Sequence, residues 1–382
     1  MRSRGSDALS GDAPNRGWTA AALGLAALVR AAAAWSPGKF PADPDALLQG
    51  MRTLDILHGH FPVFHSPVRL GALEAYLDAP FVALLGPTRL AVSVAPILEG
   101  LAAVVFVWLL ARRILAPDAA LLAAVFFAVP APHFFDVAQR PTGYASILAT
   151  GTAILAFAAA WAERPRPLMA FGLGLAVGLG LWCSIQTLSC TAAAGIWLAR
   201  RERRPALGSL LRAAAGGFVL GALPWLIYNA RHNFEPLHEN YGIAPVRSIG
   251  SALSNAVYAL TSGFSDLVGA YEADGAARLL TALVVLFHVA AIVWFVRTSA
   301  RQSPRGPWQL PVLAASLSVF FFAVSSAGNL HQKTTRLFIL CYPLVALADG
   351  ALAAAAWRRV PAAGVLVTAG LTAFHLGGYE MP

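Results

Sequence analysis

The chain of 382 residues is 58% hydrophobic and only 12% charged, about half the charge of an ordinary soluble domain, which excludes a water-soluble globule. Gathered into spans of about 20 residues, this apolar content sets a ceiling of about 11 membrane helices. The net charge of +9 comes from 28 Lys+Arg against 19 Asp+Glu, nearly all of it arginine placed in pairs between apolar runs, which fits basic loops beside a cytoplasmic leaflet and not a nucleic-acid surface.

In chain order the apolar runs cover about 18–35, 90–111, 118–132, 143–162, 168–184, 187–199, 211–230, 277–296, 310–326, 337–357 and 360–376, which predicts an all-α polytopic protein with about 11 transmembrane helices. Their Ala, Leu, Val, Gly and Phe content lacks the strict alternation of a membrane β-barrel. Arg30 interrupts the first run just before the Ala31 to Ala34 tract, which argues for an uncleaved first helix over a signal peptide. The weakest pair is 168–184 and 187–199, which reads as two spans or as one re-entrant hairpin; both flanks are arginine-rich, so the later topology is the same either way. Gly172, Gly174, Gly178 and Gly180 lie near helical spacing on one segment and would let neighbouring helices approach closely. The cysteines Cys183, Cys190 and Cys341 all fall in apolar stretches without metal-ligand spacing and read as small core residues.

Every second connection is basic, from Arg2 and Arg4 through Arg112 and Arg113, Arg200 to Arg204, and Arg358 and Arg359. The positive-inside rule then puts the N-terminus in the cytoplasm and the C-terminus outside. Two long polar segments, about 36–89 and 231–276, are thereby assigned to the extracytoplasmic face of a single membrane domain covering 1–382. In the first, Leu47, Leu48, Met51, Leu54 and Leu57 follow Asp45 at near-helical spacing, and Leu73, Tyr76 and Leu77 begin a second apolar-faced piece. Both read as amphipathic helices on the membrane surface. Asp43 and Asp45 bracket Pro44 at the start of the first, where a carboxylate serves either as a helix cap or as a general base. His58, His60 and His65 have loose spacing, and no metal site is assigned.

Four further groups carry charge at the predicted outer face. Asp136 suits sugar hydroxyls and Arg140 a phosphate, or the two pair with each other. His331, Lys333 and Arg336 place cations where a helix begins, suited to a lipid phosphate whose charge grows as a glycosidic bond breaks, or to snorkelling at the interface. Glu74 lies on the second surface helix, facing an acceptor or water. The second loop carries Arg231, His232, Glu235, His238 and Tyr241, all able to bind hydroxyls.

The run Asp45-Ala-Leu-Leu-Gln-Gly50, then His58 to Phe64, then Leu70-Gly71-Ala72-Leu73-Glu74 to Pro80, resembles the first outer loop of bacterial integral-membrane glycosyltransferases of the C-type fold. The likeness is to the branch of the protein mannosyltransferases and aminoarabinose transferases. It continues in Gln139 to Tyr144, Gly180-Leu181-Trp182 with Gln186-Thr187, Gly221 to Asn229, and Arg336 to Pro343. The resemblance implies an inverting transfer, at the outer face of the bacterial cytoplasmic membrane, of a hexosyl or pentosyl group from a polyprenyl-phosphate donor to an envelope glycan, lipid or protein acceptor. It implies Asp45, or its neighbour Asp43, as the base, with Glu74, Asp136, Arg140, His331, Lys333 and Arg336 binding substrate. Two positions depart from the pattern: Ala46, where a second acid is often found, and Arg69, where an aromatic is. They leave the sugar, the need for a divalent cation and the retention of activity open. Two other classes stay open, a transporter or lipid flippase, supported by Glu99, His288 and Asp349 inside predicted spans, and a non-catalytic assembly subunit.

Overall fold

Proline and arginine punctuate the chain where its helices begin and end. Pro117, Pro132 and Pro167 each stand in the first turn of a helix, where a missing N–H costs nothing. Arg112 with Arg113, and Arg358 with Arg359, close two others, placing cations against the negative end of the helix dipole. The computed structural model describes residues 44–66, 70–200, 207–234, 248–269, 276–325 and 335–377, with Val246 and isolated positions between 17 and 29.

The architecture is an all-α membrane bundle with one small hairpin. Helix α1 (Pro44–Leu57) is followed by strands β1 (Phe64–Ser66) and β2 (Leu70–Gly71), then α2 (Leu73–Leu85). The bundle continues with α3 (Val94–Ile114), α4 (Pro117–Ala128), α5 (Pro132–Gln139), α6 (Tyr144–Glu163), α7 (Pro167–Cys183), α8 (Leu188–Ala199) and α9 (Leu207–Arg231). It ends with α10 (Ile249–Tyr258), α11 (Ala276–Gln302), α12 (Gln309–Val324), α13 (Tyr342–Arg359) and α14 (Pro361–Gly377). Among the described residues, 5 helices are long and apolar enough to cross a membrane, and five more are apolar but shorter. The expected eleven spans are therefore not reached on length alone. A 12-residue helix such as α4 rises only about 18 Å against a hydrocarbon core of about 30 Å. The first predicted run lies almost wholly outside the described residues.

Both segments expected to be helical in the first long loop form helices, α1 and α2. The antiparallel β1–β2 hairpin between them was not legible in the sequence. The hairpin is clamped onto the end of α7: the Trp182 indole Nε1 donates to the Val63 carbonyl at 2.8 Å, and a Cβ on Gly71 would stand 2.1 Å from the Trp182 carbonyl oxygen. Only glycine fits there.

Glycine also decides the α7–α9 contact. A Cβ on Gly174 would meet the Ala214 carbonyl oxygen at 1.9 Å, and one on Gly178 the Phe218 carbonyl oxygen at 2.4 Å. From the other side, Gly217 faces the Phe171 carbonyl and Gly221 that of Leu175. Two small-residue pairs spaced four apart thus interlock backbone to backbone. Gly172 faces the Phe157 ring instead, and Gly180 faces Thr187. Helices α7 and α8 do not pair along their lengths as a re-entrant hairpin would; α8 turns away and packs on α6 and α12.

Part of the expected second outer loop is helical. Ser248 caps α10, its Oγ accepting from the Ser251 N–H at 3.1 Å. The helix runs through a π-turn, Ala259–Gly263, into the short helix Phe264–Leu267. Buried Asn255 donates to the Ala323 carbonyl at 3.3 Å and ties α10 to α12. Ile249, Leu253, Val257 and Leu260 are exposed along its other side, an apolar stripe suited to lipid contact.

Candidate active site

Asp45 lies in the first turn of α1 and Arg336 in the 3-10 turn Thr335–Leu337. They are separated by most of the chain, yet Arg336 Nη1 stands 3.9 Å from Asp45 Oδ2. The Asp45 side chain is 48% exposed and that of Arg336 25%, so both are open to a ligand. At 3.9 Å the pair exceeds hydrogen-bond length, which leaves the Arg336 fork able to take another anion. The Thr335–Leu337 turn packs on α5, the helix that carries Asp136. Arg140, just past the end of α5, grips Asp136 with two hydrogen bonds, one of them from Nε to Oδ1 at 2.9 Å. Of the two readings the sequence left for this pair, mutual pairing is the one the structure adopts. Both side chains stay partly exposed, 30% for Arg140 and 26% for Asp136.

Beneath Asp45 sits His65 of β1. Its ring lies against the Asp45 backbone and is 1% exposed, with neither ring nitrogen in a hydrogen bond of ordinary geometry. Burial is the largest influence on it and lowers its pKa; the Asp45 charge acts the opposite way. Arg52 Nε donates to the His65 carbonyl at 3.2 Å, and Arg52 Nη1 reaches Asp55 at 3.1 Å.

Glu74 faces neither an acceptor nor water. It shares the buried stripe of α2 with Ala75, Asp78, Ala79 and Val82 and is 0% exposed. Its Oε2 accepts from the Gly143 N–H at 3.1 Å, at a residue whose φ of +86° favours glycine. Burial, then the charges of Glu99 and Asp78, hold the Glu74 carboxyl protonated well above the usual carboxylate range. The neighbouring Glu99 carboxyl accepts from the Ser146 hydroxyl at 2.5 Å. Asp78 accepts from the Ala95 N–H at 3.1 Å and from Gln49 Nε2 at 3.3 Å; burial pushes its carboxyl up to about 8. Glu74 and Asp78 join α2 to the starts of α6 and α3, and Gln49 ties Asp78 to α1, the helix that carries Asp45. Sequence inspection passed over Asp78, Gln49 and the burial of Glu74. The available signal was the spacing of Glu74 and Asp78, four apart beside Ala75 and Ala79, on one helical face.

Asp43, His331 and Lys333 lie outside the described residues. Among the described residues, no group of three or more His, Cys, Asp or Glu side chains is placed to hold a metal ion. The Phe64 ring of the hairpin contacts Tyr228 near the end of α9, with centroids 5.0 Å apart. His288 and Asp349, two of the three intramembrane ionisable residues, form a single buried pair between α11 and α13 at 3.3 Å.

Residues 71–228 match the family model described as dolichyl-phosphate-mannose-protein mannosyltransferase. The fold is similar to that of ArnT from Cupriavidus metallidurans bound to undecaprenyl phosphate, with a TM-score of 0.66 at 15% identity, covering 93% of this chain and 63% of that one. Its apo form gives 0.63 at 14% identity, over 92% and 62%. The archaeal oligosaccharyltransferase AglB from Archaeoglobus fulgidus, in complex with an inhibitory peptide and a dolichol-phosphate, gives 0.50 at 14% identity, over 94% of this chain and 54% of that one. The chain thus spans just under two thirds of the ArnT length. No curated protein sequence matches. The chain is a polytopic membrane protein with the C-type glycosyltransferase fold, and its residues 71–228 carry the match to the mannosyltransferase family model.

Proposed function

We propose that the chain is an inverting glycosyltransferase that moves a sugar from a polyprenyl-phosphate donor to a lipid, glycan or protein acceptor at the outer face of a bacterial cytoplasmic membrane, within one membrane domain. The observation that carries this reading is the meeting of Asp45 and Arg336 at 3.9 Å, both solvent-accessible. In the transfer, the Asp45 carboxylate takes the proton of the acceptor hydroxyl as that oxygen attacks the anomeric carbon. The bond from that carbon to the phosphate oxygen breaks on the opposite side, and the lipid phosphate leaves with the negative charge. Arg336 stabilises that charge with its guanidinium fork. The partly exposed Asp136–Arg140 pair, at the end of the helix on which the Arg336 turn packs, is assigned to sugar hydroxyls and a phosphate oxygen as a unit. Glu74 acts as a positioning group under the site. Asp43, His331 and Lys333 are assigned to the same site by sequence alone.

The residues that favoured a transporter have local partners: His288 pairs with Asp349, and Glu99 with Ser146. The test is a reconstitution. Purified protein in detergent, given a panel of polyprenyl-phosphate sugars and candidate acceptors, is expected to release free polyprenyl phosphate. No release with any hexosyl or pentosyl donor would count against the reading.

A further inference from the structure

A second charged site lies at the other end of the bundle. Helices α3 and α6 both start beside the buried acids of α2, the Ala95 N–H donating to Asp78 and the Gly143 N–H to Glu74, and α2 packs on α1, which carries Asp45. Their 21 and 20 residues therefore carry Arg113 and Glu163 about 30 Å away. There an open cavity of about 240 Å³ is lined by Arg113, Ala160, Glu163, Arg164, Arg166 and Met169.

Three guanidiniums face one carboxylate across this cavity. Arg113 is engaged: its Nε lies 3.2 Å from Glu163 Oε2 and its Nη1 donates to the Leu109 carbonyl. Arg164 and Arg166 form no ion pair among the described residues. Helix α7 begins at the same rim, with Arg166 as its N-cap, so its positive dipole end adds to the unbalanced charge. Among the described residues the rim thus carries two guanidiniums, Arg164 and Arg166, beyond the one that Glu163 answers. The height of the cavity is that of a membrane boundary. Arg112 lies over the Trp108 ring at 4.8 Å, and indoles concentrate at the headgroup level; Leu168, in the first turn of α7, is 69% exposed.

We propose that this cavity binds the phosphodiester headgroup of an anionic membrane lipid, in the leaflet away from the Asp45 site. Arg164 and Arg166 take the phosphate oxygens through their planar forks. Arg113, held by Glu163, closes the third side, and the acyl chains run down beside Leu168. Guanidinium pockets between membrane helices are chemically matched to such headgroups. Scattered snorkelling arginines, by contrast, need no cavity and show no preference between lipids.

The test uses the full chain, purified in detergent, in native mass spectrometry with added phosphatidylglycerol or zwitterionic phosphatidylcholine. Retained phosphatidylglycerol adducts are expected on wild type. They should fall by about tenfold or more in the Arg164→Gln/Arg166→Gln variant, which removes two charge-assisted contacts. The Arg301→Gln/Arg359→Gln variant removes the same charge from the same end outside the cavity and should keep them. Since all four side chains are exposed, folding is followed by elution profile and thermal unfolding. Equal retention of the two lipids, or adducts preserved in the Arg164/Arg166 variant, would overturn the proposal. Displacement of phosphatidylglycerol by millimolar inorganic phosphate would overturn it too, by making the occupant a soluble phosphate.

Discussion

Replacing Asp45 by Asn separates catalysis from architecture. The carboxylate is 48% exposed and stands 3.9 Å from Arg336. At that distance the attraction is about 1 kcal/mol in a water-like medium and about 4 kcal/mol at an effective dielectric of 20. Solvent exposure and side-chain entropy reduce the net value of such a pair to roughly 0–1 kcal/mol. Asp45 also lies in the first turn of α1, where a negative charge gains about 0.3–1 kcal/mol from the helix dipole. The Asp45→Asn substitution should therefore cost at most about 2 kcal/mol of stability, and the thermal midpoint of the detergent-solubilised protein should fall by only a few degrees. Turnover should respond very differently, because the amide keeps size and hydrogen bonding but cannot take the acceptor proton; a loss of about 10²-fold or more is expected. The assay is release of polyprenyl phosphate under saturating donor, with donor binding measured separately. Asp43→Asn is run beside it, since Pro44 separates two carboxylates. Wild-type turnover in both variants would refute the assignment of the base to this loop even if transfer itself is observed.

Three further outcomes follow from the same geometry. Arg336→Ala should weaken donor use more than Arg336→Lys, since lysine keeps the charge and loses the fork; KM for the donor checks it, and equal values for wild type and Ala would return Arg336 to interfacial anchoring. The Asp78 carboxyl, usual value 3.8, is pushed up to about 8 by burial. The folded state thus holds a proton that the unfolded state releases, and stability should fall as pH rises from about 4 to about 8, on the order of 1.4 kcal/mol per pH unit at most. Glu74 contributes with the same sign, and Asp78→Asn should flatten the unfolding midpoint measured from pH 5 to 9. Gly178→Val drives a side chain into the Phe218 carbonyl, 2.4 Å from where its Cβ would be, and should lower the thermal midpoint far more than Gly172→Ala, whose neighbour is the movable Phe157 ring.

Much of this protein was legible in its sequence. Low charge and long apolar runs dictate membrane helices, because a backbone in hydrocarbon must satisfy its own hydrogen bonds. Paired arginines marked where several of those helices stop. The small-residue stripe announced a close helix contact. Asp43 and Asp45 both stood at a helix start in a long polar loop, and only the family resemblance favoured Asp45. What the sequence withheld was every relation between distant segments. Helical periodicity says which face is apolar but not which neighbour covers it, so the partners of Gly174 and Gly178 in α9 emerged only from packing. Glu74 read as facing an acceptor or water, and Asp78 drew no reading, because a carboxylate is ordinarily too costly to bury; the Gly143 and Ala95 N–H groups and a retained proton lower that cost, and those donors come from other segments. The short hairpin is too brief for an alternation pattern and depends on Trp182 to hold it. Arg336 comes to Asp45 for the same reason: a 3-10 turn seated on α5 carries it there, and the position of that turn is set by the packed bundle and not by the residues on either side of the arginine.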